Sequence, residues 1–344
     1  MFNGEDAKSE LRSRAQRWIC FATLLSVMAL TLLAILYAAA DEPTRPRIVG
    51  IAGVRVLVSD INASKAFYSK LLSEDHPCLW CGQRHLTTFS VNEFQFVELS
   101  PIMKPFTTMS PPGDLIDDIV FATDDLAGLR RYLVAHNVRI TTPPVIDLDP
   151  PTTGKKDKQK KQSNADDQFE HPFINTLDPE GHRIAFVQLP REAFGTQADS
   201  HRKRLIHTGF VVKDAVAEDH FYKDILGFHL YWHGGMKDRE DNWVDMQVPD
   251  GTDWVEYMLK VSDSASHKTL GVMNHIAIGV NDIEAAAYSA QKSGISGTEE
   301  PKIGRDGKWQ LNLYDPDETR VEMMEFKPTN EPCCSPYTGP HPHP

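Results

Sequence analysis

Cysteine is scarce in this chain: five in 344 residues, and one of them, Cys20, lies inside a hydrophobic run. The other four, Cys78, Cys81, Cys333 and Cys334, allow three pairings in an oxidising compartment, too few to scaffold a chain of this length. A disulfide framework is therefore excluded, and the fold rests on apolar packing. Basic charge is also in deficit, 36 Lys and Arg against 48 Asp and Glu, a formal net charge of -12. A nucleic-acid binder would present a basic face, so nucleic acid is excluded as a partner. Charge is missing altogether from Trp18 to Ala40, which follows Lys8, Arg12, Arg14 and Arg17 and ends in Ala38-Ala39-Ala40 before Asp41-Glu42. Residues 1–40 read as a leader, either a cleaved signal peptide or a retained membrane anchor. With the basic residues ahead of the run, both readings place the remainder outside the cytoplasm, exported (periplasmic or extracellular) or membrane-anchored.

What the chain does contain is repetition, and the length suits about two domains. Val56-Leu57-Val58-Ser59-Asp60, Phe67-Tyr68 and Leu71-Leu72 recur 154 positions later as Val211-Val212-Lys213-Asp214, Phe221-Tyr222 and Ile225-Leu226. The stretch Ile119 to Leu126 resembles Ile276 to Ile283, and each of these is later followed by an Asp-Pro turn, at Asp178-Pro179 or Asp315-Pro316. In the third copy the alternation predicts a strand over 206–212. A helix is expected over 215–226, capped by Asp214 and stopped by Gly227, with strands at 228–233, 243–248 and 254–259. The fourth copy predicts a strand at 274–280, a helix over 283–293, and strands near 309–314 and 320–326. The fold class is α+β: four βαβββ modules, near 48–105, 114–190, 203–262 and 271–328, paired as two domains at 48–190 and 203–328. Residues 150–171, rich in Lys, read as an exposed insertion, and 329–344 as a Pro-rich tail without regular structure.

Two pairs of residues repeat with the modules. His207 and His275 each lie in an apolar first strand, and Glu256 and Glu322 follow 49 and 47 positions later in apolar last strands. Strand parity puts Ile276, Ile278 and Val280 on one face and His275, Ala277 and Gly279 on the other, so the His projects over a surface of small residues. A mid-strand carboxylate is costly to bury alone. Singly, each of these residues reads as an ordinary strand His or a solvent-facing Glu. Together, two His and two Glu converging on a divalent cation would satisfy one another, and that donor set accepts Zn, Ni, Co, Mn or Fe(II).

Lesser candidates lie elsewhere. Cys78 and Cys81, with His76 and His85 nearby, form a lone CxxC that reads as a local disulfide, inert thiols, or a redox or metal pair. Cys333-Cys334 with His341 and His343 offer a soft-metal site, against the plainer reading of a solvated tail held by one bridge.

The chain resembles the vicinal oxygen chelate superfamily, which includes glyoxalase I, bleomycin- and fosfomycin-resistance proteins and extradiol dioxygenases. The stretch LIHTGFVVKDAVAEDHFYKDILGF is similar to the opening of a glyoxalase I module, and DPDETRVEMMEF to a closing hairpin that carries the last ligand. The resemblance implies two glyoxalase-like domains, each a cupped sheet, with metal held by a first-strand residue and a last-strand Glu of each module. The matching positions are His207, Glu256, His275 and Glu322. In the N-terminal half Gly53, Asp118 and Ala185 replace three of the four, and only Glu98 remains, so an ion pair of Arg55 with Glu98 and Asp118 is expected to fill that cup. The implied function is a metal-dependent, glyoxalase-like lyase or isomerase on a small oxygen-rich substrate, with Glu256 or Glu322 as the proton shuttle. An extradiol dioxygenase would use His207, His275 and Glu322 on iron, but its signature Tyr is replaced by Asn312. A non-enzymatic binding or resistance protein is the third alternative. The sequence names neither the substrate nor the oligomeric state.

Overall fold

Two sheets carry the alternating segments, and the computed structural model describes residue 28 and residues 43–72, 87–102, 115–141, 173–190, 203–295 and 299–344. The leader apart from residue 28, Cys78 and Cys81, and the Lys-rich insertion lie outside the described residues. Among the described residues no helix is long and apolar enough to cross a membrane. Residues 45–344 form one compact unit that holds both sheets.

The first sheet has the order β2-β3-β1-β4-β6-β5, built from β1 (Ile48–Val58), β2 (Thr87–Ser90), β3 (Phe96–Pro101), β4 (Ile116–Thr123), β5 (Phe173–Leu177) and β6 (Arg183–Gln188). Helices α1 (Ile61–Leu71) and α2 (Leu126–Ala135) follow β1 and β4. Each starts at an aspartate, Asp60 or Asp125, whose carboxylate accepts from first-turn N–H groups. The second sheet begins with β7 (Arg204–Val211). Helix α3 (Ala215–Asp219) runs on as a π-helical turn over His220–Ile225, followed by β8 (His229–Gly234), β9 (Trp243–Gln247) and β10 (Trp254–Met258). Its fourth module comprises β11 (His275–Val280), α5 (Ile283–Lys292), β12 (Lys302–Ile303), β13 (Trp309–Tyr314) and β14 (Arg320–Glu325), and the strand order is β12-β13-β14-β11-β7-β10-β9-β8. The α+β class and the two curled sheets are as expected. The patterning missed α4 (His267–Met273), capped by Ser266 and joining the third module to the fourth.

Both sheets pair their modules the same way: first strands antiparallel at the centre (β1 with β4, β7 with β11), last strands parallel outside them (β3, β6, β10, β14). One bulge is common to the two. Ile206 is the extra residue of β7 opposite β11, and Ala52, its counterpart 154 positions earlier, is extra in β1 opposite β4. A bulge re-aims the next side chain, which is His207 in one sheet and Gly53 in the other. Gln95 ties the two bulged strands together, its amide donating to Ile51 O (2.7 Å) and Leu205 O (2.8 Å).

A single apolar core runs from one sheet to the other through the helices. Phe121 meets Phe228 edge-on at 5.3 Å, and Tyr132 on α2 donates to Ile225 O at 2.7 Å. Two pseudo-equivalent polar joints cross it. The Tyr68 hydroxyl donates to Asp315 (3.3 Å) and the Tyr222 hydroxyl to Asp178 (3.4 Å), each reaching the Asp-Pro turn of the other sheet.

The tail is the main correction. Residues 327–344 lack regular structure, as expected, but they are packed rather than solvated. Thr338 N donates to Tyr231 O (3.0 Å), Trp232 Nε1 to Cys333 O (3.1 Å), and Gln247 Nε2 to Pro340 O (2.9 Å), so the tail lies along β8 and β9. Its disulfide joins Cys333 to its neighbour Cys334 and so fastens no distant segment. His341 shares a hydrogen bond with the Tyr231 hydroxyl at 2.7 Å, and the His343 carbonyl accepts from Arg204 Nη1 at 3.4 Å.

Candidate metal centre

Four adjacent strands, β14, β11, β7 and β10, form the floor of the second cup, and their register makes a checkerboard. One row reads Glu322, Ala277, His207, Trp254, and the next reads Arg320, His275, Gly209, Glu256. Large donors thus alternate with Ala277 and Gly209, which leave room above the sheet. At Gly209 that room is obligatory: a Cβ there would lie 2.0 Å from Cε1 of His275. The imidazole lies over the glycine and reaches toward the donors on both sides.

The four residues singled out in the sequence come together. His207 Nε2 and His275 Nε2 are 3.1 Å apart. Oε2 of Glu256 is 3.0 Å from His275 Nε2 and 3.8 Å from His207 Nε2, and Oε2 of Glu322 is 3.8 Å and 3.6 Å from the same two atoms. The tightest triple is His207, Glu256 and His275. Donor atoms held at about 2.0–2.2 Å from one ion lie roughly 3.0–3.6 Å from each other, close to the 3.0–3.8 Å seen here. All four residues are buried.

Hydrogen bonding and burial bear on what these donors can hold. His275 Nδ1 is 2.9 Å from Met273 O, which fixes its proton on that side and leaves a lone pair on Nε2. That lone pair accepts from Arg320 Nη2 at 2.8 Å. Burial, then His275, Arg320 and Lys308, lower the His207 pKa well below the ordinary value, so its imidazole is neutral. Burial raises the Glu322 carboxyl, with Arg320 and His275 opposing. Two imidazole nitrogens facing each other at 3.1 Å, flanked by two carboxylates in a buried cup, fit a divalent ion by charge and by donor type. His207 Nδ1 has no hydrogen-bond partner. The Trp254 indole, stacked at 4.6 Å with the rings 28° apart, holds the His207 ring instead.

A second layer escaped the sequence reading. Asp245 faces Glu256 across β9 and β10, and its carboxyl is raised well above the usual range, by burial first and then by Glu256. Lys308 is 0% exposed, with its ammonium 4.3 Å from the Trp254 ring and 5.1 Å from the rings of both Tyr231 and Tyr337. Tyr337 closes this cage from the tail and donates to Asp306 O at 2.7 Å. Burial lowers the Lys308 pKa, and Asp306, Asp245, Glu322 and Glu256 oppose the drop. Trp254 and Arg320 could have been found from sequence, since each stands two residues before a candidate Glu and so shares its face. Asp306 and Lys308, in the turn before β13, carry no local signal.

Above the floor opens a cavity of 940 Å³ whose walls include His207, Glu256, Glu322, Arg320 and Asn312. A different buried cluster, Asp178, His182 and Glu218, sits at one of the polar joints.

Known proteins are similar at three levels. Residues 204–323 match the family model of the Glyoxalase/Bleomycin resistance protein/Dioxygenase superfamily. A lactoylglutathione lyase of Haemophilus influenzae is 29% identical over 130 residues, 37% of this chain and 95% of that protein. Among solved structures, a variant of homoprotocatechuate 2,3-dioxygenase from B. fuscum superposes with a TM-score of 0.52 at 17% identity, covering 82% of this chain and 72% of that one. The 2,3-dioxygenase LapB from Pseudomonas sp. KL28 gives 0.53 at 14% identity, over 88% and 96%. At these identities the solved structures share the fold alone.

Proposed function

With residues 204–323 matching the family model of the Glyoxalase/Bleomycin resistance protein/Dioxygenase superfamily, we propose that the chain is a metal-dependent, glyoxalase-like lyase or isomerase of a small oxygen-rich substrate. The observation that carries this is the approach of His207, Glu256, His275 and Glu322 to within 3.0–3.8 Å of one another's imidazole nitrogens. These four side chains would hold the ion. When bound, a divalent ion supplies Lewis acidity to adjacent substrate oxygens.

The residues divide the remaining work. His207 and His275 would donate lone pairs, that of His275 in place of its bond from Arg320, and Trp254 and Met273 O hold their rings. Glu322 is the more deeply buried carboxylate, so it is assigned a fixed role. Glu256 is more open to the cavity, and its Oε2 is assigned to carry a proton between neighbouring carbons of the substrate. Arg320, against His275 and the cavity, stabilises negative charge that develops on substrate oxygen. The apolar walls limit exchange of that proton with water. Export or membrane anchoring of this activity belongs to the same proposal and rests on the leader sequence.

The extradiol reading shares the two-sheet architecture with the solved relatives, and Glu256 discriminates between them. A three-residue site leaves that carboxylate without a task, whereas a four-donor site uses it. The test is metal content and turnover of the full chain reloaded with Ni, Zn, Co or Fe(II), using α-ketoaldehyde adducts and catechols. The expectation is about one equivalent of metal and turnover without oxygen uptake. Oxygen consumption with catechol on Fe(II) alone would overturn the lyase assignment. Retention of metal by a His207→Ala, His275→Ala double variant would overturn the site.

A further inference from the structure

Resting on that reading, we propose that the substrate's oxygen-bearing head carries an uncharged apolar arm, which lies along the cavity wall made by Trp243, Met258, Leu259, Val261, Val272 and Met273. At 940 Å³ the cavity is at the upper end of the roughly 300–1,000 Å³ typical of sites for drug-sized ligands, far more than a three-carbon ketoaldehyde fills.

The two walls differ in what they leave unsatisfied. On the β12–β13 side the polar groups already bond one another. Tyr314 donates to Glu299 Oε1 at 2.6 Å, Asn312 Nδ2 to Glu299 Oε2 at 3.1 Å, and Gln310 Nε2 to Asp306 Oδ1 at 3.1 Å. The cations on that side are paired as well, Lys302 with Glu299 and Arg305 with Asp238. A carboxylate-bearing arm, such as a glutathione conjugate presents, would have to displace these pairs or reach Lys260 at the exposed mouth. The opposite wall leaves apolar surface uncovered. Trp243, Leu259, Val261, Val272 and Met273 are only half-buried, and Met236 at the mouth is 71% exposed. Apolar surface concentrated in a concavity gains most from an apolar ligand.

Most of the cavity's polar atoms that lack partners lie at the other end, although Asn242 Oδ1 is one beside Trp243 on this wall. Asn312 Oδ1 and Arg320 Nε are buried without a hydrogen bond. Asn312 faces Glu322 across β13 and β14, and Arg320 faces His275 across β14 and β11. A polar head is thus called for beside the four donors and an apolar arm beyond them.

Straight-chain hydroxamates test this, because their head offers two adjacent oxygens to a metal while the chain length varies. Acetohydroxamate through octanohydroxamate would be titrated calorimetrically into the Co(II)-loaded full chain, with EDTA-treated protein as control. Affinity should rise about two- to fourfold per methylene over the shorter members. Trp243→Ala and, separately, Leu259→Ser should flatten this series while leaving acetohydroxamate affinity within about twofold, which also reports an intact fold. A probe of hexanoyl length ending in a carboxylate should bind at least about tenfold more weakly than hexanohydroxamate. A flat series with acetohydroxamate still bound overturns the arm and leaves the metal reading standing. Preference for the carboxylate-ended probe overturns its neutrality. Equal binding with and without metal overturns the metal reading, and the arm with it.

Discussion

The same four strands meet at the centre of each sheet, around the same bulge, yet the two cups are filled by opposite means. In the second, Gly209 is bare and His275 lies over it. In the first, Arg55 occupies the position of Gly209, facing Asp118 on one side and Glu98 on the other. Its guanidinium contacts Glu98 at 3.0 Å and both Asp117 and Asp118 at 3.4 Å. The side of Gly53, where His207 would stand, is closed by the Phe96 ring, which comes within 2.4 Å of a Cβ placed there. One cup therefore carries its own cation on a side chain, and the other presents imidazoles and carboxylates suited to a cation from outside. A charge built into the chain cannot be exchanged, which favours a structural role over a second metal site in the first cup.

The largest effect expected from disturbing this contrast is in the first cup. Arg55→Met removes the cation shared by three buried carboxylates, and breaking such a set costs about 3–5 kcal/mol. Urea unfolding should show that loss with metal uptake unchanged at the second cup. A loss under about 1 kcal/mol would mean that the cup is wet and the ion set contributes little. Next comes the converse change. Gly209→Ala places a methyl 2.0 Å from His275 Cε1, and the ring must swing out of the donor set. Metal affinity should fall about 100-fold, about 2.7 kcal/mol, with the fold kept. Equilibrium dialysis against a chelator of known affinity reads this directly, and an unchanged constant would remove His275 from the site.

How much of this contrast could be read from the chain depends on whether a feature repeats. The 154-residue offset exposed the modules and the replacement of His207 by Gly53, and the match of Ile119–Leu126 to Ile276–Ile283, 157 apart, exposed that of His275 by Asp118. Period-two parity set His207, His275 and Arg55 on the open face of their strands, and the repeated spacing brought in Glu256 and Glu322. The bulge at Ile206 and Ala52 left no trace, because an extra strand residue looks like any other apolar residue in a buried run. Lys308 was invisible for a different reason. Its cage is assembled from β8, β10 and the tail, three segments with no common spacing, and a Lys in a turn reads as a surface charge. The tail misled for a similar reason: Pro-rich, aperiodic sequence excludes a helix or strand, but it does not exclude packing of Tyr337 and Thr338 against β8.

The smallest effect tests a second inequality, between the two polar joints. Ser64 and Thr319 flank the Tyr68–Asp315 contact, and their counterparts Glu218 and His182 flank the Tyr222–Asp178 contact. His182 Nδ1 lies 2.6 Å from Asp178, so the second joint carries an ionisable set where the first carries hydroxyls. Burial first, and then Asp178, push the Glu218 carboxyl up to about 9 from an ordinary 4.5, with His182 and the Glu180 N–H opposing. The folded chain thus keeps a proton that the unfolded chain releases near 4.5. That contribution to stability is complete below about pH 4.5 and is lost progressively as the pH rises toward 9. Glu218→Gln keeps an acceptor for the Glu180 N–H and cannot ionise. It should gain on the order of 1–2 kcal/mol over the parent at pH 8 and nothing at pH 4.5, with a shallower slope between. Urea titrations at pH 5, 7 and 9 measure the difference. Parallel curves for the two proteins would show that Glu218 is already ionised when folded, and the joints would then differ in packing alone.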